Sequence, residues 1–216
     1  MRPFVSGLVL AAGASTRLGR PKQLLPFGAT TLLGRVVSEA RAATTLDEIV
    51  VVIGGAAEQV RHHVDLAGAT IVENPQFGEG CSASYRAGVE ALDPRAEAVA
   101  VLLGDQPGIE TTVVDTMVHE WRRTRDRIML ASYRAREGHP LVFARALFPL
   151  LTALRGDKAA WKIVDAHRDW IRPVPVDRPH PRDVNTWEEY QDLLRDTARA
   201  DLTPSPSLRS GEGSGP

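Results

Sequence analysis

Over its first 127 residues the chain alternates between two hydrophobic patterns. Short, mostly apolar runs occur at residues 4–11, 48–53 and 98–103, and a further short strand is expected at 70–72. Between them lie segments whose apolar positions recur every three or four residues, at 31–43, 56–66, 81–92 and 111–123. Leu32, Leu33, Val36, Val37 and Ala40 show this spacing. Continuous apolar runs mark strands buried on both faces, and the three-to-four repeat marks amphipathic helices. The βαβα rhythm predicts a parallel sheet covered by helices on both faces. After Arg127 the rhythm loosens. Strands are expected at 128–133 and 141–143, flanking a turn at Glu137, Gly138, His139 and Pro140. Helices are expected at 145–154, 158–166 and 187–198, with a last strand at 171–176. The expected fold is α/β: a three-layer, doubly wound, mostly parallel sheet with a small excursion that returns to it.

Composition narrows this picture little. The chain has 216 residues, 43% hydrophobic and 25% charged, with a net charge of −1. That is an ordinary globular balance and gives no reason to expect nucleic-acid or membrane-surface binding. No apolar stretch approaches the ~20 residues of a membrane-spanning helix. Cys81 is the only cysteine, so no internal disulfide can form; a reducing cytoplasm fits this. From Thr203 onward Ser, Pro and Gly dominate. Such a segment has too little apolar surface to fold, and disorder is expected for 201–216.

The chemistry concentrates after the first strand. After Leu10, residues Ala11, Ala12, Gly13, Ala14 and Ser15 form a small-residue turn, and Arg17 and Lys22 follow. Small side chains let backbone N–H groups approach an anion closely, and two cations suit a polyphosphate. The spacing is not that of a P-loop, and Ser15 replaces the second glycine of the dinucleotide fingerprint. Asp105, in Leu103-Gly104-Asp105-Gln106-Pro107, follows a buried strand. It therefore sits at the carboxyl edge of the sheet, where a carboxylate can hold Mg²⁺ or simply cap a turn. Gly78-x-Gly80-x-x-Ala83, with Glu97 beyond it, fits a loose dinucleotide fingerprint. Too many residues separate it from its strand for that motif to be convincing. Cys81 has no histidine marked as its base and reads as a small packing residue. The histidines show no zinc spacing.

The run Leu10-Ala11-Ala12-Gly13-x-Ser15-x-Arg17-Leu18-Gly19-x-Pro21-Lys22-x-Leu24-Leu25-Pro26 resembles the signature of the MobA-like NTP transferases. Ala12 and Pro21 resemble the branch of molybdenum cofactor cytidylyltransferases. The resemblance recurs at Gly104-Asp105-Gln106-Pro107, at Asn74-Pro75 with Gly80 and Ser82, at Gly138-His139-Pro140, at Gly156-Asp157-Lys158 and at Asp183-Val184-Asn185-Thr186. It implies a Mg²⁺-dependent nucleotidyltransferase that joins a nucleoside monophosphate, from CTP by preference, to the phosphate of molybdenum cofactor and releases pyrophosphate. A molybdenum hydroxylase apo-enzyme would receive the product. By the same resemblance Arg17, Lys22 and Asp105 carry catalysis. Leu10, Ala11, Ala12, Gly13, Ser15, Asn74, Gly80, Ser82 and Gly104 join Arg17 and Lys22 around the nucleotide. Asp105 and Asn185 hold Mg²⁺, with Asn185 or Thr186 also starting the last helix. Gln106, Pro107, Gly138, His139 and Pro140 face the acceptor. The domain would span 1–200, with 1–127 binding nucleotide, 128–182 the acceptor, and 183–200 returning to the metal site.

Three rivals stay open at this level. One is nucleotidyl transfer to a sugar phosphate or another phosphorylated small molecule. Another is an NAD(P)-dependent oxidoreductase on a related fold, since doubly wound sheets host both chemistries. The third is a non-catalytic carrier of the cofactor.

Overall fold

The computed structural model describes residues 2–202. In chain order the elements are β1 (Val5–Ala11), β2 (Pro26–Phe27), β3 (Thr30–Thr31), α1 (Leu32–Ala42), β4 (Glu48–Ile53), α2 (Ala57–His63), β5 (Thr70–Glu73), α3 (Cys81–Glu90) and β6 (Ala98–Leu103). They continue as α4 (Thr111–Thr124), β7 (Ile128–Tyr133), β8 (Arg136–Ala144), α5 (Phe148–Ala153), α6 (Ala160–Ala166), β9 (Ile171–Val176) and α7 (Trp187–Leu202). Seven strands form one sheet in the order β5-β4-β1-β6-β8-β7-β9. β8 runs antiparallel to both of its neighbours, β6 and β7, and the remaining pairings are parallel. β2 and β3 pair only with each other. The sheet is therefore mostly parallel with one reversed strand inside it, which agrees with the expected α/β class.

Alternation along the central strands builds the three layers. Leu8, Leu10, Val50, Val52, Val99 and Val101 pack against Tyr85 and Val89 of α3, Leu151 of α5 and Ile163 and Val164 of α6. Their neighbours Val9, Ala11, Val51 and Ile53 pack on the other face, against Val36 and Val37 of α1, Val60 of α2 and Val114 of α4. Farther across the sheet, Ala98, Ala100, Met129 and Val142 meet Val113, Met117 and Trp121 of α4. A fourth, smaller cluster joins Leu18, Leu25 and Leu32 to Val184, Tyr190 and Leu193. The Tyr190 hydroxyl also donates to the Pro26 carbonyl at 2.6 Å. This cluster brings the C-terminal helix back beside the loop that follows β1.

One expectation is corrected. Glu137, Gly138, His139 and Pro140 are not a turn; they lie within β8. The chain reverses at Arg134 and Ala135, with φ of 48° and 70°, between the paired residues Tyr133 and Arg136. Two residues at positive φ are what a tight hairpin requires, but Arg-Ala carries none of the Asn-Gly chemistry that announces one. Gly138 and Pro140, the usual turn residues, serve a bulge instead. Leu130 pairs with Leu141 and Ala131 with Gly138, so His139 and Pro140 have no partners across the ladder. A proline without an N–H is tolerated in a strand at such a bulge. At the other end, α7 continues to Leu202, past the expected helix end at 198 and into the first two residues of the tail expected to be disordered; the rest of that tail, 203–216, lies outside the described residues.

Candidate active site

The carboxyl ends of β1 and β6 meet at one point. Gly104 N–H donates to the Leu10 carbonyl at 2.9 Å, so the loops leaving the two strands start side by side. A cavity of about 330 Å³ opens there. Its wall includes Leu10, Ala11, Ala12, Gly13 and Ala14 from the first loop, Lys22, Gly104 and Asp105, and Phe77, Gly80, Cys81 and Ser84 at and before α3. This is the crevice where open α/β sheets bind ligands.

The electrostatic centre is Lys22. Its ammonium pairs with the Asp105 carboxylate and donates to Asn185 Oδ1 at 3.0 Å. Residues 83 and 163 positions apart in sequence thus converge on one cation. Asn185 reaches it because Val184 is fully buried in the cluster under α7. The Glu189 carboxylate accepts from the N–H groups of Asn185 at 2.6 Å and Thr186 at 3.0 Å, while Glu189 N–H donates to Thr186 Oγ1 at 3.2 Å. That is a capping box, so the segment starts its helix and presents Asn185 together. Gln106 Nε2 donates to Asp183 at 2.6 Å. Burial, then the charge of Asp105, raises the Asp183 carboxyl above its ordinary value.

The loop after β1 is held by a residue absent from the sequence-derived set. Gln23 is buried, and its side-chain amide donates to the carbonyls of Ala11 and Gly13. Ser15 sits in the left-handed region at φ 55°, and its hydroxyl accepts from the Lys22 N–H at 3.0 Å. Gln23 follows the noticeable Lys22 and looks like any polar surface residue; only the three-dimensional return of the chain reveals its partners.

The other expected residues separate. Arg17 is exposed on the turn Thr16–Leu18 and does not line the cavity. Asn74 and Ser82 are buried behind the wall. Asn74 Nδ2 donates to Ser84 Oγ at 3.1 Å. The Ser82 hydroxyl and N–H both donate to the Gly156 carbonyl, which clips the loop at 156–157 onto the start of α3. Gly80, at φ 96°, permits this contact: a Cβ there would lie 2.5 Å from Asp157 Oδ1. Asp157 thereby lines the same cavity as Asp105. Cys81 also lines it, and its thiol is pushed up to about 11, first by burial and then by the charges of Asp105 and Asp157. A thiol that stays protonated is a poor nucleophile.

Of the residues expected on the acceptor side, Gln106 and His139 are buried, and Gln106 Oε1 and His139 Nε2 have no hydrogen-bond partner. Burial, with a smaller push from His180, lowers the His139 imidazole to about 4. Its ring meets Trp161 edge to face, with centroids 6.1 Å apart. The dinucleotide fingerprint is disposed of by position. Glu97 immediately precedes β6 and pairs with Arg125, which puts it at the amino edge of the sheet, opposite the cavity. Among the described residues no three His, Cys, Asp or Glu side chains cluster as a metal site, and no helix is long and apolar enough to cross a membrane.

A family model described as the MobA-like NTP transferase domain matches residues 7–170. The chain belongs to the MobA-like NTP transferases. It is an enzyme of the nucleotidyltransferase class, as the resemblance of its loop implied. Nicotine blue oxidoreductase of Paenarthrobacter nicotinovorans is 33% identical over 206 residues, covering 89% of this chain and 97% of that protein. Molybdenum cofactor cytidylyltransferase of Escherichia coli is 26% identical over 139 residues, covering 64% and 69%. The structure of Rv0371c from Mycobacterium tuberculosis in complex with manganese superposes with a TM-score of 0.78 at 36% identity, covering 90% of this chain and all of that one.

Proposed function

We propose that this MobA-like NTP transferase moves CMP from CTP onto the phosphate of molybdenum cofactor, with Mg²⁺ or a similar divalent cation, and releases pyrophosphate. The observation that carries the reading is the convergence of Lys22, Asp105 and Asn185 at the mouth of the small-residue loop. The cytidylyl preference is supported by Ala12 and Pro21 and by the Escherichia coli relative.

The donor set fits a divalent cation. The hard oxygens of Asp105 and Asn185 already meet on one positive charge. Two protein oxygens suit Mg²⁺, which keeps waters and shares its remaining positions with substrate phosphates. When bound between Asp105 and Asn185, the cation would neutralise triphosphate charge and polarise the α-phosphorus. Lys22 would follow the triphosphate and balance the departing pyrophosphate, and the loop N–H groups would orient the chain of phosphates. The acceptor phosphate oxygen forms the new bond to the α-phosphorus as the bond to the β-phosphate oxygen breaks. A phosphate monoester has its second pKa at ~6, so the nucleophile is largely deprotonated at neutral pH and no general base is required. Arg17, exposed on its turn, would reach the outer phosphates only by extending over the loop.

The test is pyrophosphate release from purified protein given Mg²⁺, molybdenum cofactor and each nucleoside triphosphate in turn. Release with CTP is expected. Release only with a sugar phosphate as acceptor transfers the reading to that rival, and no release with any pair removes it. A second reading has one observation behind it: the Paenarthrobacter relative, matched over 97% of its length, is named an oxidoreductase. NAD(P)H consumption with a quinonoid dye, without triphosphate, would select that activity.

A further inference from the structure

We propose that Gln23, itself part of the cavity wall, is the positioning residue that gives the loop after β1 its affinity for a triphosphate, by holding the Ala11 and Gly13 carbonyls on its own side-chain amide. This rests on the nucleotide reading above and names how that site is built. Gln23 is 3% exposed. Both hydrogens of its Nε2 are used, on the Ala11 carbonyl at 2.8 Å and the Gly13 carbonyl at 2.9 Å. Its Oε1 accepts from the Ser15 hydroxyl at 3.4 Å, and that oxygen in turn accepts from the Lys22 N–H. The intervening carbonyl, of Ala12, lies against Gly54, where a Cβ would be 2.6 Å from it. Two of the three carbonyls of residues 11–13 are therefore hydrogen-bonded to Gln23, and the third abuts Gly54. Among the described residues the N–H groups of Gly13 and Ala14 have no protein acceptor.

The physical need for such a clamp follows from the loop's composition. Alanine and glycine restrain the backbone only weakly, and each peptide unit carries an acceptor as well as a donor. Rotating one peptide would replace an N–H facing the cavity by a carbonyl and reverse the local sign. One buried amide that binds two alternate carbonyls removes that freedom. Because Gln23 is joined to Lys22, the clamp also sets where the ammonium emerges. Gln23 thus acts through the backbone and through Lys22, and its effect should fall on the nucleotide alone.

The experiment compares the full-length wild type with Gln23→Met, which keeps length and donates nothing, and Gln23→Glu, which turns a carboxylate oxygen toward the two carbonyls. Inorganic tripolyphosphate and CTP, each with Mn²⁺, are titrated calorimetrically. Gln23→Met should weaken both about 10- to 100-fold, the range for a buried group left without its partner, and Gln23→Glu should weaken them further. In turnover the KM for nucleotide should rise while the KM for acceptor stays level, a split that general loosening of the fold would not produce. A folded Gln23→Met that binds tripolyphosphate as the wild type does overturns the inference. If that variant does not fold, amide ¹⁵N shifts of the wild type decide: tripolyphosphate must move Gly13 and Ala14, and their failure to respond overturns it equally. A wild type that binds neither probe sinks the nucleotide reading and this inference with it.

Discussion

The two sides of the site are built differently. Around the loop after β1 and the start of α3 the buried polar side chains are all partnered: Gln23 holds two carbonyls, Asn74 donates to Ser84, and Ser82 donates to Gly156. Around Gln106 and His139, where the acceptor was expected, Gln106 Oε1 and His139 Nε2 are buried without partners. A fully satisfied network specifies one rigid arrangement. An unsatisfied buried acceptor costs about 1–3 kcal/mol. The first region is therefore set by its own side chains, while the second carries hydrogen-bonding capacity that the fold itself does not use. Such unused capacity tends to gather at functional sites.

Four perturbations would break or sharpen this contrast. The largest effect should come from Asp105→Ala. Loss of one well-placed electrostatic group costs about 10²–10³ in turnover, and single-turnover pyrophosphate release with an unchanged circular dichroism spectrum is the measurement; turnover near wild type removes Asp105 from the chemistry. Next is pH. His139 is neutral in the folded protein, with its imidazole lowered to about 4, whereas in the unfolded chain it titrates near 6.5. The unfolded state then binds the extra proton, so the contribution to stability is complete above pH 6.5 and falls away as pH drops toward 4, by up to about 3 kcal/mol. Urea midpoints at pH 7.5 and 5 should drop much more in wild type than in His139→Gln, and parallel slopes would contradict this burial.

Third, Lys22→Met should raise affinity for Mn²⁺ without nucleotide by about tenfold, because two hard oxygens lose a competing ammonium and a nearby positive charge is removed. Mn²⁺ titration followed by electron paramagnetic resonance would register it, and weaker Mn²⁺ binding would mean that Asp105 and Asn185 do not form the cation site. The smallest effect is expected for Ser82→Ala. It should cost about 1 kcal/mol by releasing the Gly156 carbonyl, and hydrogen exchange should show faster opening at residues 156–158 while β1 and β6 are unaffected.

How far the sequence could be read follows the same division. The strands at 48–53 and 98–103 lie where apolar runs placed them, because Val, Ile, Leu and Ala in a short bounded run have few alternatives to a buried strand. That the loop after β1 and Asp105 lie at one edge of the sheet was legible because each directly follows a buried strand, and those strands pair in parallel. The hairpin at Arg134-Ala135 was not. The residues that signal a turn, Gly138 and Pro140, had been diverted to a bulge, and the turn itself was made by residues without turn chemistry. Arg17 reads like Lys22 in the sequence, yet only Lys22 lines the cavity.

By itself, then, the order of apolar and polar residues determined the layered α/β class and the edge of the sheet at which the cavity opens, because periodicity is a local property that each segment carries alone. Tertiary structure decided which side chains meet. Asn185 reaches Lys22 through the packing of Val184 and Tyr190 beneath the last helix, Gln23 finds two carbonyls by the return of the chain, and Asp157 reaches the cavity through Ser82 and the space left by Gly80. Contacts between residues far apart in sequence depend on packing among whole elements, and no local pattern encodes them.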